Sequence, residues 1–172
     1  TIIGGYGALG TAFKNYISKR GGTVDLIGRD NHRAIDYTGT DILILASGSR
    51  TKGEEFAANL EIPVMIGEKY IEANRERLVR PEIWGVGSEA EIHSNDGYAQ
   101  SKRAFARYAS HNWARSREVT YRHIVPASFT SKLGPGLWSA NSVVAVAMFF
   151  ISRGVNYVPV TYPGLALLNW PV

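Results

Sequence analysis

Residues 1–10 read Thr1-Ile2-Ile3-Gly4-Gly5-Tyr6-Gly7-Ala8-Leu9-Gly10. A short apolar run passes straight into glycines. Apolar residues then recur at Leu9, Ala12, Phe13, Tyr16 and Ile17, which is helical spacing, until Gly21-Gly22 stops it. Gly5-Tyr6-Gly7-Ala8-Leu9-Gly10 satisfies G-x-G-x-x-G and lies between a strand and a helix. A dinucleotide-binding turn needs that placement. Its glycines permit a tight turn and let the backbone approach a pyrophosphate, and the free N–H groups of the helix start hold the anion. Glycine turns also simply connect elements. The position at the first strand–helix junction is what gives the motif weight.

Working outward, Thr23 to Ile27 reads as a second strand ending at Gly28-Arg29-Asp30. In dinucleotide folds this end meets the adenine ribose, where an acid favours NAD and a base accommodates a 2′-phosphate. Arg29 comes first and favours NADP; Asp30 follows and leaves NAD open. A solvated arginine in a turn is the bland alternative. Ala34 to Tyr37 is a candidate third strand, and Asp41 to Ala46 has the continuous apolar run of a strand buried on both faces. Glu54 to Arg77 reads as helical, interrupted or bent by Pro63. Glu82 to Val86 and Val119 to Val125 read as strands, the second leading to Pro126. Between them a helix carries Tyr98, Lys102, Phe105 and Ala109 on one face. Ala140 to Ile151 reads as a helix closed by Gly154, and Val155 to Thr161 as a last strand. Strands alternating with helices predict an α/β fold, a Rossmann-type doubly wound parallel sheet, as one domain over residues 1–172.

Composition agrees with this class. The 172 residues are 45% hydrophobic and 20% charged, near the average for globular domains, which argues against disorder, collagen and coiled coil. The chain has no cysteine, so disulfide frameworks and cysteine metal sites are excluded. The longest apolar run, Val143 to Ile151, is far too short for a membrane span, and no stretch resembles a signal peptide. A cytoplasmic location with no membrane partner is the expectation. The net charge of +4 comes from scattered Lys and Arg, so no nucleic-acid partner is expected. Arg75, Arg77 and Arg80 read as a solvated helix end, and His32, His93, His111 and His123 as surface or packing residues without metal-ligand spacing.

Chemistry is concentrated in Tyr98-Ala99-Gln100-Ser101-Lys102. Residues four apart stack on one helix face. A cation beside a phenol favours its ionised form, which makes Tyr98 a usable general acid or base. Alone, the pattern is also that of a buried tyrosine beside a snorkelling lysine. Ser88, ten residues upstream, follows the strand Glu82 to Val86 at its carboxyl end, where open parallel sheets bind ligands. Asn59 lies in the preceding helical region.

With these residues assembled, the chain resembles the short-chain dehydrogenase/reductase family almost from end to end. Gly4, Gly7 and Gly10 match its G-x-x-G-x-x-G motif, and Leu45-Ala46-Ser47-Gly48 stands at its N-N-A-G stretch. Asn59, Ser88, Tyr98 and Lys102 follow the order of its Asn-Ser-Tyr-Lys tetrad, with Ser94 as the alternative serine. Pro126-Ala127-Ser128-Phe129-Thr130 resembles the P-G-x-x-x-T segment that cradles the nicotinamide. The resemblance implies an NADP-preferring oxidoreductase, with NAD as the other candidate, that interconverts a small-molecule carbonyl and an alcohol. Tyr98 would exchange a proton with the substrate oxygen and Ser88 would hydrogen-bond it. Lys102 would hold the nicotinamide ribose, and Asn59 would position a water. Gly4, Gly7, Gly10, Arg29, Ala46, Ser47, Gly48, Pro126 and Thr130 would contact the cofactor.

The chain is shorter than usual for that family. Only three residues separate Tyr37 from Asp41, so the helix usual there is expected to be missing. The segment Thr130 to Ser139, where the family carries its substrate lid, is short, and Trp138, beside Leu133 and Leu137, is the tryptophan expected near substrate. The resemblance also implies a homodimer or homotetramer, with Phe105, Tyr108 and Trp113 as contact candidates. A non-catalytic dinucleotide sensor is the alternative function; such a sensor usually loses the Tyr or the Lys. Epimerisation of sugar nucleotides needs a larger C-terminal region than this length allows.

Overall fold

The computed structural model describes residues 1–28, 31, 35–131 and 135–161. Six parallel strands form one sheet in the order β2-β1-β3-β4-β5-β6. They are β1 (Ile2–Ile3), β2 (Leu26–Ile27), β3 (Ile42–Leu45), β4 (Glu82–Val86), β5 (Thr120–Pro126) and β6 (Tyr157–Val160). The helices are α1 (Ala8–Ser18), α2 (Ile62–Asn74), α3 (Ala90–His93), α4 (Gly97–Asn112) and α5 (Ala140–Ile151). The chain moves outward from β1 to β2, then crosses back to β3 on the other side of β1. That reversal leaves a crevice beyond the carboxyl ends of β1 and β3, the place where such sheets bind ligands.

Strand periodicity sorts the core into two layers. Ile2, Ile44, Trp84 and Ile124 face α1 and α5, packing with Phe13, Val143, Val144 and Ala147. Their strand neighbours Ile3, Leu43, Leu45, Ile83 and Tyr121 face α2 and α4, packing with Ile66, Tyr70, Phe105 and Trp113. Both faces are therefore dry, which explains strands that are apolar throughout. Where α2 and α4 meet, Gly67 lies directly under the Trp113 ring, and a Cβ there would overlap the indole.

Three expectations change. Residues 35–37 form no strand. Tyr37 instead turns its buried ring edge-on to Tyr70, and its carbonyl accepts from Asn74 Nδ2 at 3.0 Å. Side-chain hydrogen bonding thus replaces a ladder in this segment. Pro63 does not break the helical region. A π-helical turn, Ala57–Glu61, runs into α2 with Pro63 in its first turn. Proline has no N–H for the carbonyl four residues back, that of Asn59, and a π turn accommodates the change. Phe105 and Trp113 are each only 1% exposed, so they are core residues and not contacts for a second subunit. Arg29 and Leu133 lie outside the described residues, as do Asp30 and His32.

Candidate active site

The carboxyl ends of β1, β3, β4 and β5 surround a cavity of about 1020 Å³. Gly4 and Gly7 line it from the first loop, Ala46, Ser47 and Gly48 from the end of β3, Ser88 from the end of β4, and Tyr98 and Lys102 from α4. Pro126 closes it from β5. Most of the residues singled out in the sequence thus share one wall. Gly10, Asn59 and Thr130 stand off it.

The glycine loop is shaped by close approach. Gly4 has φ +75°, and a Cβ there would lie 2.7 Å from Ser47 N. A Cβ on Gly10 would meet Gly4 O at 2.6 Å. These two glycines let the loop, the helix and β3 touch. Gly7 differs: a Cβ would have only Gly4 O, at 3.2 Å, within range of protein. Gly7 is the N-cap of α1, where no side chain caps the helix and no acid occupies the first turn. The first N–H groups and the positive helix end are left for a ligand anion. Ser47 Oγ, next to Gly4, is buried without a hydrogen-bond partner among the described residues. An open cradle, an uncapped helix and an orphaned hydroxyl fit a dinucleotide.

Lys102 is 3% exposed. Its ammonium donates to Val86 O at 2.9 Å and to Ser47 O at 3.4 Å, bridging the ends of β4 and β3. With three protons on Nζ, one donor remains. No carboxylate among the described residues pairs with it, which is costly for a buried charge unless a ligand contributes partners. Tyr98 lies one turn earlier on α4, and its hydroxyl has no hydrogen-bond partner among the described residues. Asp96 caps this helix, its carboxylate accepting from Ala99 N–H at 2.7 Å.

Asn59 is fully buried in the π turn. Its Oδ1 accepts from Ser49 N–H at 2.9 Å, while Nδ2 donates to Ser49 O at 2.8 Å and to Ser101 Oγ at 3.0 Å. It fastens the loop after β3 to α4, one layer behind Lys102. Thr130 instead closes its own loop, with Oγ1 donating to Gly136 O at 2.9 Å. Trp138 also misses the cavity: it forms a bridge with Phe129 and packs on the α1–α5 side of the core. Arg75, Arg77 and Arg80 are all engaged within the chain, with Glu72 and Glu118, with Asp41, and with the Ser116 and Val119 carbonyls.

Ser88, not Ser94, reaches the wall. The Ser94 carbonyl accepts from Arg103 at 2.6 Å at the end of α3. Ser88 Oγ accepts from Ala90 N–H at 3.2 Å and keeps its own proton to donate. Behind it lies a chain of groups that the sequence did not disclose. Glu91 Oε1 accepts from Ser88 N–H at 2.6 Å and lies 3.4 Å from His123 Nε2. His123 Nδ1 lies 2.7 Å from the Tyr121 hydroxyl. Burial, and then the Glu91 charge, push the Tyr121 phenol well above its ordinary range, so it stays protonated. A phenol donating to Nδ1 leaves the ring proton on Nε2, facing Glu91. His93, read from sequence as a bystander, lines the cavity, and so does Arg50. Neither carries a motif, because each is brought to the wall by a short loop or helix after a strand.

Among the described residues no cluster of His, Asp or Glu could hold a metal ion, and no helix is long and apolar enough to cross a membrane. No protein-family model and no curated protein matches the chain. Solved structures do match. A short-chain dehydrogenase from Sphingobium yanoikuyae in complex with NADPH superposes with a TM-score of 0.77 at 12% identity, over 92% of this chain and 86% of that one. A short-chain dehydrogenase from Burkholderia cenocepacia in complex with NADP gives 0.76 at 15% identity, over 96% and 90%. The 3-alpha-hydroxysteroid dehydrogenase of a Pseudomonas species, complexed with NADH, gives 0.75 at 20% identity, over 98% and 97%. The fold is that of the short-chain dehydrogenases/reductases.

Proposed function

We propose that the chain is a short-chain dehydrogenase/reductase that binds NAD(P) and interconverts a carbonyl and an alcohol. The observation that carries this is the shared wall: Tyr98, Lys102 and Ser88 open into the same cavity as the glycine loop of β1. Gly4, Gly7 and the start of α1 would hold the pyrophosphate, and Ser47, Gly48 and Lys102 the nicotinamide half. When bound, the nicotinamide gives or takes the hydride.

The protein's own groups handle the proton and the oxygen. Ser88 Oγ has a proton to donate and would hydrogen-bond the substrate oxygen as charge develops on it. Tyr98, whose hydroxyl has no partner among the described residues, would pass its proton to that oxygen in reduction and take it back in oxidation. Lys102, held by two carbonyls, would turn its remaining donor to a ribose hydroxyl and keep a positive charge one helical turn from Tyr98. Asn59 acts through Ser49 and Ser101 as a positioning residue.

Cofactor preference and assembly are further parts of the proposal. Arg29 suits a 2′-phosphate, since a guanidinium gives charge-assisted, bidentate contacts, so NADPH should bind more tightly than NADH. A homodimer or homotetramer in the cytoplasm fits the family. With Phe105 and Trp113 in the core, exposed Phe56 and Met65 replace them as contact candidates.

The test is NADPH and NADH binding, followed by oxidation of each over a panel of ketones, aldehydes and quinones. Tyr98→Phe should lower turnover by about 10²–10⁴-fold while leaving dinucleotide affinity nearly unchanged. Near-normal turnover in that variant would refute the proton assignment. Binding without turnover of any carbonyl would favour a sensor.

A further inference from the structure

Arg50 follows the Ala46-Ser47-Gly48 wall by two residues and lines the cavity. Its guanidinium carbon lies 4.5 Å from the centroid of the Tyr98 ring. The loop that presents it is pinned on both sides. Ser49 is buried and hydrogen-bonded twice to Asn59, and Thr51 N–H donates to Ser49 Oγ at 3.1 Å. Arg50 makes no ion pair or hydrogen bond with a described residue. A ring contact uses the charge of a guanidinium and consumes none of its N–H donors in a hydrogen bond. Two carboxylates share the cavity wall, and neither neutralises this cation. Glu89 accepts from Ser128 N–H at 3.3 Å across the site, and Glu54 pairs with no cation among the described residues.

An exposed arginine with no hydrogen-bond partner among the described residues, in contact with the ring of the tyrosine assigned to proton transfer, is a receptor for a planar oxyanion. We propose that Arg50 makes this site select carbonyl and alcohol substrates that bear a carboxylate. The inference rests on the oxidoreductase reading above and adds the substrate class to it. Arginine matches two carboxylate oxygens at once, whereas a methyl ester of the same acid offers no charge and only weak acceptors. The dinucleotide also carries anions, so the experiment must separate the two.

The experiment measures binding as well as turnover. Pairs of 2-, 3- and 4-oxo acids and their methyl esters are titrated calorimetrically into the protein loaded with oxidised NADP, which cannot reduce them, and the same pairs are tried as substrates with NADPH. The acid should bind at least about tenfold more tightly than its ester for one chain length, and the ratio should fall to near one in Arg50→Gln. Arg50→Lys, which keeps charge but not the fork, should recover only part of it. Equal binding of acid and ester to the unmodified protein overturns the proposal. So does a ratio that survives in Arg50→Gln, or a loss of NADPH affinity in that variant large enough to account for the effect. Acid selectivity without reduction of any carbonyl leaves the anion site standing and removes the oxidoreductase reading. Reduction of neutral carbonyls without acid preference does the reverse.

Discussion

Asn59→Ala should cost more stability than any other single truncation at the edge of the site. The side chain is fully buried, and Ser49 and Ser101, its partners, are 3% and 0% exposed. Truncation strands two groups of Ser49, the N–H that donated to Oδ1 and the carbonyl that accepted from Nδ2. Water cannot reach them without opening the loop, so each costs about 1–3 kcal/mol. Ser101 Oγ loses an acceptor role but still donates to Tyr98 O at 2.8 Å, so its share is small. The expected total is about 2–6 kcal/mol, against a whole-domain stability of about 5–15 kcal/mol. In urea, taking m about 2 kcal/mol/M, the midpoint should fall by about 1–3 M at unchanged m. Tryptophan fluorescence can follow the transition. Ser101→Ala, which breaks one of these bonds, should fall by less than half as much. A midpoint shift under about 0.3 M for Asn59→Ala would mean that the loop is not fastened through this residue.

Two further outcomes concern the glycines and alkaline pH. Gly4→Ala places a side chain at φ +75° against the Ser47 backbone and should destabilise by more than about 2 kcal/mol, whereas Gly7→Ala should fold nearly normally but bind NADPH at least about tenfold more weakly. Thermal melts and fluorescence titration check both, and undiminished binding by Gly7→Ala would place the pyrophosphate elsewhere. Burial raises the phenols of Tyr37, Tyr70, Tyr121 and Tyr157, and burial together with Glu68 pushes Tyr108 up to about 12. The unfolded chain ionises its tyrosines first, near pH 10, so their contribution is complete below about pH 10 and is lost as pH rises above it, the Tyr108 share through about 12. Denaturation midpoints should drop across that range, and Tyr108→Phe should flatten the upper part of the drop; a pH-independent midpoint would refute this.

The sheet was legible because both its faces are buried. Asp41 to Ala46 and Glu82 to Val86 could be read as strands without any alternation to guide them, and the glycine loop fixed their direction. Tyr98 and Lys102 were legible because a four-residue spacing holds on any helix. What escaped depends on contacts between distant residues. The side-chain bonding that replaces a strand around Tyr37 is made by Asn74. Glu91 and His123 are 32 residues apart in sequence, and neither position carries a periodic signal. Arg50 stands in no motif; its neighbour Ser49 is held by Asn59, and its guanidinium meets the Tyr98 ring.

The close approach of Gly67 to the Trp113 ring has a consequence for how this sequence can drift. Neither position can change alone: a methyl at 67 meets the indole, and a smaller ring at 113 leaves an empty space beneath it. Among related chains the two sites should therefore substitute as a pair, bulk at one exchanged for bulk at the other. A double-mutant cycle would show the same bond as non-additivity, with Trp113→Phe partly relieving the damage of Gly67→Ala. Helix α4 and the helix that follows Asn59 thus share one constraint, set by the C-cap of the first and the middle of the second.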